Sequence, residues 1–199
     1  MYSQVSQDEF VKKIIGNSGF FLDIGAGWVE PLLNSNSLFL EEQGWDGICI
    51  DGDLTSANNR KNKAIRSKVL NVMVNENNLK NILDENNAPK TIDYVSLDIE
   101  PYSLIGLLSF PFSDYEFKVL TFEHDSYRTG ESEKLKSHDI LLNQGYYCLC
   151  EDIRVPSDFS NEGYFEDWWI NKKYFSDSFM QKNTFKKCFG QNIIDNISI

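Results

Sequence analysis

FFLDIGAGWVEP, residues 20–31, is the stretch that decides how this chain folds. An apolar run closes on an acid, Asp23, and two glycines follow at Gly25 and Gly27. Such a run reads as a buried strand ending in a tight turn, because glycine admits positive φ and lets backbone or ligand approach where a Cβ would intrude. In open α/β sheets, ligands bind at this place, outside the carboxyl ends of the strands. A dinucleotide fingerprint would continue Gly-x-Gly-x-x-Gly, but the third glycine position holds Glu30. Asp23 and Glu30 would both repel a pyrophosphate, which needs N–H groups and no neighbouring anion. An NAD-dependent oxidoreductase is therefore disfavoured.

Outward from this turn the chain alternates between strand and helix. Ser6-Gln-Asp-Glu9 reads as a capping box before Phe10, Val11, Ile14 and Ile15, and Gly16-Asn17 ends that helix. The first strand covers residues 19–24, a helix 36–43 stops at Gly44, and the second strand covers 45–50. A polar helix 55–63, a strand 65–74, a helix 77–87 with Leu79, Ile82 and Leu83 inward, and a strand 92–97 follow. Next come a helix 102–109, a strand 117–122, a helix 131–144 capped by Gly145, and a strand 146–150. Repeated βαβ units predict a doubly wound, mostly parallel α/β sheet in three layers, α/β/α. Residues 154–199 break the alternation and are dense in aromatics, so we expect one domain, 1–152, with an aromatic extension, 153–199, packing on it as a cap.

Composition narrows the function classes. The 199 residues suit a single core, and 41% hydrophobic with 25% charged residues is ordinary globular usage. A net charge of -11, with no basic cluster apart from residues 60–68, argues against nucleic acid as partner. No apolar run reaches the roughly 20 residues of a membrane span and no signal pattern opens the chain, which predicts a cytoplasmic protein without a membrane partner. Cys49, Cys148, Cys150 and Cys188 lack zinc-ligand spacing and read as buried, reduced thiols, with Cys148 and Cys150 on one strand face. The oligomeric state is not legible.

The strand ends carry the chemistry. An acid closing the first strand suits a ligand with a cationic amino-acid end, such as S-adenosylmethionine; the competing reading of Asp23 is a turn former bonding its own backbone. Asp51 ends GWDGICIDGD at the spacing where an acid accepts from ribose hydroxyls, while Asp53 competes with a helix N-cap as its plainer reading. IDYVSLDIEP brings Asp98 and Glu100, two apart, to the end of the fourth strand, and FKVLTFEHDSY brings Glu123, His124 and Asp125 to the end of the fifth. Carboxylates and an imidazole gathered there can orient a hydroxyl, remove its proton, or hold a divalent cation that does both. Asp98 also reads as a cap for the following helix, His124 as a capping or core histidine, and His138 as a solvated surface residue.

FLDIGAG, SNSLFLEEQGWDGICIDGD, IDYVSLDIE and KVLTFEHD, in this order, make the chain resemble the FkbM-type S-adenosylmethionine-dependent methyltransferases over about residues 20–127. The resemblance implies a Rossmann-like class I methyltransferase fold. It places Asp23, Gly25, Ala26 and Gly27 around the methionine portion of the cofactor, Asp51 on the ribose and residues 71–73, beginning with Asn71, near adenine. It puts Asp98, shared with the cofactor side, together with Glu100, Glu123 and His124 against the acceptor. O-methylation of a sugar, glycan or other small metabolite is the implied activity. Two departures stand out: Gly27-Trp28-Val29 replaces the usual Asn or His then Asp-Gly, and Pro101-Tyr102-Ser103 replaces a glycine and an acid. On this reading His124 takes the acceptor proton while Asp98 and Glu123 orient it. The alternative is a degenerate, non-catalytic cofactor- or partner-binding protein.

Overall fold

The computed structural model describes residues 2–28, 34–154 and 163–199. In chain order the elements are α1 (Gln7–Ile15), β1 (Phe20–Ile24), α2 (Leu38–Glu42), β2 (Asp46–Asp51), α3 (Leu54–Lys63) and β3 (Lys68–Asn71). Then come α4 (Leu79–Glu85), β4 (Thr91–Leu97), α5 (Ser103–Ser109), β5 (Glu116–Glu123), α6 (Ser126–Thr129), α7 (Ser132–Asn143) and β6 (Tyr146–Arg154). The chain continues with β7 (Tyr164–Asn171), α8 (Asp177–Lys182), β8 (Phe185–Lys186) and α9 (Gly190–Asn196). The strands form one sheet in the order β3-β2-β1-β4-β5-β7-β6-β8. All neighbours pair in parallel except β7, which runs antiparallel to β5 and β6.

The expected doubly wound, mostly parallel sheet is borne out. One face buries Ile24, Val95 and Leu120 beneath α4, α5 and α7 through Leu83, Leu107 and Leu141. The other buries Phe21, Tyr94 and Val119 beneath α1, α2 and α9 through Phe10, Leu40 and Ile193. From β1 the chain winds outward to β3 and then returns to β4 on the other side of β1, which opens the crevice of a topological switch point at their carboxyl ends. No described helix is long and apolar enough to cross a membrane.

Where boundaries depart from the sequence pattern, side chains have taken over the backbone groups. The third strand begins at Lys68 rather than residue 65, because Glu41 collects the N–H groups of Ile65, Arg66 and Ser67 and removes them from the ladder. Glu41 is held by Arg60 at 2.7 Å, both side chains wholly enclosed. Burial opposes the charge of Glu41, but these backbone donors and Arg60 hold its carboxyl below the usual range. The capping box expected at Ser6 does not form: Ser6 adopts φ 72 and its side chain does not cap α1. The N–H groups of Tyr2 and Ser3 donate instead to Asp8, which anchors the entry to the helix.

The C-terminal aromatic segment is more than a cap. Residues 164–171 enter the sheet as β7, between β5 and β6, and the division expected at residue 152 falls inside β6. Trp168 and Trp169 are both fully buried on opposite faces, Trp168 against Phe10 with ring centroids 4.4 Å apart and Trp169 against His138 at 4.6 Å. Each such side chain contributes about 1.5–3 kcal/mol by leaving water. The cysteines are free, but only Cys49 and Cys150 are buried as expected, Cys148 and Cys188 being half-buried, and Cys148 and Cys150 do not share a face. A register shift between them sends Leu149 and Cys150 into the same core cluster and leaves Cys148 in the other.

Candidate functional site

The turn after β1 is built around close approach. Gly25 holds φ +92, and a Cβ there would lie 1.7 Å from the Asp98 carbonyl oxygen. A Cβ on Gly27 would come 2.6 Å from Asp51 Oδ2 and 2.4 Å from Ser56 Cβ. The N–H groups of Gly25 and Ala26 both donate to the Ile50 carbonyl, at 2.8 and 3.1 Å. Asp51 Oδ2 accepts from the Gly27 N–H at 2.9 Å and Oδ1 from the Asp53 N–H at 2.8 Å. Each oxygen keeps a further lone pair for a ligand. Asp53 is the N-cap of α3, accepting from the Ser56 N–H at 2.7 Å, so the two acids divide the roles weighed for them.

Beneath the turn, Asp23 is buried and accepts from Ser37 Oγ, which Arg60 Nη2 approaches at 3.4 Å. Burial pushes the Asp23 carboxyl up, and the Ser37 hydrogen bond offsets part of this. Asp23, Gly25, Ala26, Gly27 and Trp28 line a cavity of about 240 Å³ that Asn34, Ser35, Asn36 and Asp98 complete. Asn71 lies outside it and donates to the carbonyls of Asp51 and Gly52 at 3.0 and 3.1 Å, steadying the turn that carries Asp51. Met73, from the same expected adenine segment, lines a separate, apolar cavity of about 520 Å³ with Val74, Tyr102 and Ile105. Glu30 lies outside the described residues.

A third cavity, of about 230 Å³, opens beyond Asp98 and is lined by Gln4, Asn34, Glu100, Glu123, Tyr127, Arg128 and Phe165 as well. Asp98 and Asn34 line both this cavity and the one at the glycine turn. Oxygens of Asp98, Glu100 and Glu123 all lie within 4.8 Å of one another, a set that could hold a cation. Burial pushes Asp98 up to about 6, with a hydrogen bond to Glu123 lowering it and the charge of Glu100 raising it. Burial and then the charge of Asp98 push Glu123 well above the carboxylate range. Arg128 pairs with Glu100 and Asp125 at the rim. Asp98 is not a helix cap: the N-cap position of α5 is Tyr102.

His124 does not join this group. Its ring is wholly enclosed, Nδ1 accepts from the Ser126 N–H at 3.1 Å, and Nε2 lies 3.5 Å from Asp167 Oδ2. With Nδ1 accepting, the neutral ring carries its proton on Nε2, facing Asp167. The reason is the period of extended chain: successive side chains point to opposite faces, so a residue directly after Glu123 is turned away from Glu123's cavity. His138, expected on the surface, reaches the same carboxylate at 2.8 Å from α7, and the Asp152 N–H donates to Asp167 Oδ1 at 2.7 Å. Both histidines of the chain thus converge on Asp167. Burial alone would raise Asp167, but the imidazoles of His124 and His138 beside it hold its carboxyl well below the usual range.

Several lining residues escape the sequence reading. Arg128 had a local signal, since it stands three residues after Asp125 on one helical turn. Asn34 and Asn36 precede α2 in a loop whose polar side chains carry no period, although Asn36 Nδ2 donates to Ser96 Oγ at 3.0 Å. Phe165 arrives from β7, and its carbonyl accepts the N–H groups of His124 and Asp125 at 2.7 and 3.0 Å. Only the tertiary insertion of β7 brings it there.

The sheet order and the crevice define a Rossmann-like α/β protein of class I methyltransferase architecture. No family model matches the chain, and no curated protein matches it in sequence. Among solved structures it is similar to M. capricolum TrmK, determined in complex with S-adenosyl-homocysteine, at 15% identity and a TM-score of 0.52, over 88% of this chain and 73% of that one. It is also similar to a protein of Clostridium thermocellum provisionally assigned as an rRNA methylase, at 11% identity and a TM-score of 0.56, over 85% of this chain and 98% of that one. What is shared at these identities is the fold.

Proposed function

We propose that this chain is an S-adenosylmethionine-dependent methyltransferase of the FkbM type, methylating a hydroxyl of a sugar or other small metabolite. The observation that carries the reading is the junction at Asp98, where a glycine-cradled cavity beside Asp51 meets an acidic cavity at one shared carboxylate. The fold shared with a protein that binds S-adenosyl-homocysteine supports it. The residues fit the cofactor: Gly25 and Gly27 let the turn close tightly on the Asp98 carbonyl and on Asp51 and Ser56, which sets the wall of the cavity, and Asp51 keeps lone pairs for two ribose hydroxyls. When bound, the cofactor supplies an electrophilic methyl group on a sulfonium.

The chain's own residues do the rest. Asp23 faces the cationic amino-acid end, Ala26 joins the cradle around it, and Asn71 steadies the Asp51 turn. Asp98, with its carboxyl pushed up to about 6, accepts the hydroxyl proton near neutral pH, a contribution of typically about 10²–10⁴-fold. Glu100 and Glu123 orient the acceptor, and Arg128 fixes Glu100. His124 leaves the proton-transfer role to Asp98 and holds the loop behind the cavity. Alignment of the reactants supplies the larger part, up to about 7–11 kcal/mol of barrier. A polyanionic acceptor is disfavoured by the net charge of -11 and by the acidic lining.

Calorimetric titration with S-adenosyl-homocysteine tests the reading. The wild-type chain is expected to bind and an Asp51→Ala chain to bind far more weakly; absence of binding to the wild type removes the reading altogether. Turnover of labelled S-adenosylmethionine against a pool of sugars and metabolites then separates an enzyme from a cofactor-binding relic.

A further inference from the structure

Arg60 opens the basic segment 60–68 of the sequence, yet its side chain is wholly enclosed. It reaches Glu41 through Nη2 alone, at 2.7 Å, while Nε and Nη1 find no partner among the described residues. Glu41 has other donors as well: the N–H groups of Ile65, Arg66 and Ser67, and Ser67 Oγ. A buried guanidinium with open N–H groups is costly, and a pair serving the fold alone would be expected to engage both arms of the fork. The remaining field of Arg60 falls on Asp23, in the wall of the cavity at the glycine turn.

The contact runs through a hydroxyl. Ser37 Oγ accepts from Arg60 Nη2 at 3.4 Å and donates to Asp23 Oδ2 at 2.5 Å. A guanidinium has no lone pair to offer, so the Ser37 proton goes to Asp23 rather than to Cys49 Sγ, which lies farther off at 3.9 Å. On β4, Ser96 stands opposite Asp23 in register, accepts from Asn36 Nδ2 at 3.0 Å and gives Asp23 a second hydrogen bond. Ser37, Ser96 and Arg60 are all fully buried. A carboxyl that receives two hydroxyl protons is held as an acceptor, although burial and the charges of Asp51 and Asp98 oppose its ionisation. Cys49 and Tyr94, which also face it, are kept neutral by burial. We propose that Arg60 is a positioning residue for the cofactor: through Ser37 it keeps Asp23 a charged, aimed acceptor, so that the chain prefers a nucleoside with a cationic amino-acid end to one without it. This deepens the methyltransferase reading, on which it rests. Arg60 lines no part of the cavity and acts only through Ser37 and its charge.

The experiment titrates two probes into the full chain at neutral pH: S-adenosyl-homocysteine, which carries the amino-acid end, and methylthioadenosine, which lacks it. The wild type is expected to bind the first roughly tenfold or more tightly than the second, as charge-assisted hydrogen bonds require. Arg60→Met and Ser37→Ala should each weaken S-adenosyl-homocysteine by about tenfold and leave methylthioadenosine within about twofold, a split that general damage to the site would not produce. In an Asp23→Asn background, Arg60→Met should cost S-adenosyl-homocysteine no more than about twofold further, because the carboxylate it acts through is gone. Arg60→Met breaks a buried ion pair, so its thermal midpoint is measured; Ser37→Ala leaves that pair intact and carries the test if Arg60→Met unfolds. Equal loss of both probes, unchanged S-adenosyl-homocysteine binding in both variants, a wild type that binds the two probes alike, or an Arg60→Met loss that persists beside Asp23→Asn would each overturn the proposal. Absence of S-adenosyl-homocysteine binding to the wild type removes the methyltransferase reading itself, so the two failures are told apart.

Discussion

Two buried carboxylates on adjacent strands meet opposite fates. Asp167, on one face of the sheet, receives two imidazoles and a backbone N–H, and its carboxyl is held well below the usual range. Glu123, on the other face, has the carboxyls of Asp98 and Glu100 within reach, and burial with the charge of Asp98 drives its carboxyl upward. Glu123 and His124 are consecutive residues, so one peptide unit separates a structural hub from an acidic cavity. The contrast teaches that burial alone does not mark a functional acid. What marks it is burial among like charges, beside a space that a ligand can enter.

The contrast can be broken at its saturated end first. Asp167→Ala leaves two histidines and the Asp152 N–H without their acceptor and is expected to cost about 3–5 kcal/mol in urea denaturation. A loss under about 1 kcal/mol would show that the hub is incidental. On the ligand side, Asp51→Ala should weaken S-adenosyl-homocysteine binding by about 1.5–3 kcal/mol, roughly ten- to hundredfold, with little change in the unfolding midpoint. His124→Gln should lower stability by about 1–2 kcal/mol while turnover per folded molecule stays within about twofold. A turnover loss of a hundredfold at unchanged stability would return the proton-transfer role to the imidazole.

The last test is a slope. Burial raises Asp98 to about 6 and Glu166 to about 8, both above their unfolded values. The folded state therefore holds these protons more tightly, and stability is greatest below the unfolded pKa and declines as pH rises through the folded one. The unfolding free energy should fall between about pH 4 and pH 8, by at most about 1.4 kcal/mol per pH unit for each group. Asp98→Asn should flatten the lower part of that decline and Glu166→Gln the upper part, measured as urea midpoints across the same range.

Much of this architecture is legible in the amino-acid order. The apolar runs closing on Asp23, Asp51 and Asp98 announce three parallel strands, and the glycines after Asp23 announce the turn, because only a residue without Cβ tolerates the approach of the Asp98 carbonyl. The helices end where Gly44 and Gly145 stand, at φ +102 and +85. The acidic cavity is half legible: period-two alternation places Asp98 and Glu100 together, and the same rule, applied to Glu123 and His124, forbids the grouping that their adjacency suggests. The hub is not legible, since His138, Asp152 and Asp167 come from three separate elements. Nor is β7: no local pattern states that residues 164–171 pair between two earlier strands in reverse direction.

The late arrival of β7 gives the chain an order of completion during synthesis. Until residues 164–171 leave the ribosome, β5 has an open edge, the N–H groups of His124 and Asp125 lack the Phe165 carbonyl, and Asp167 is not yet there for the histidines. Gly25, Gly27 and Asp51 depend on none of this, because β1, β2 and β4 already pair among themselves. A nascent chain should therefore become competent for the nucleoside half of its ligand before it can enclose an acceptor, and premature termination before residue 164 would release a protein with the first capacity and not the second.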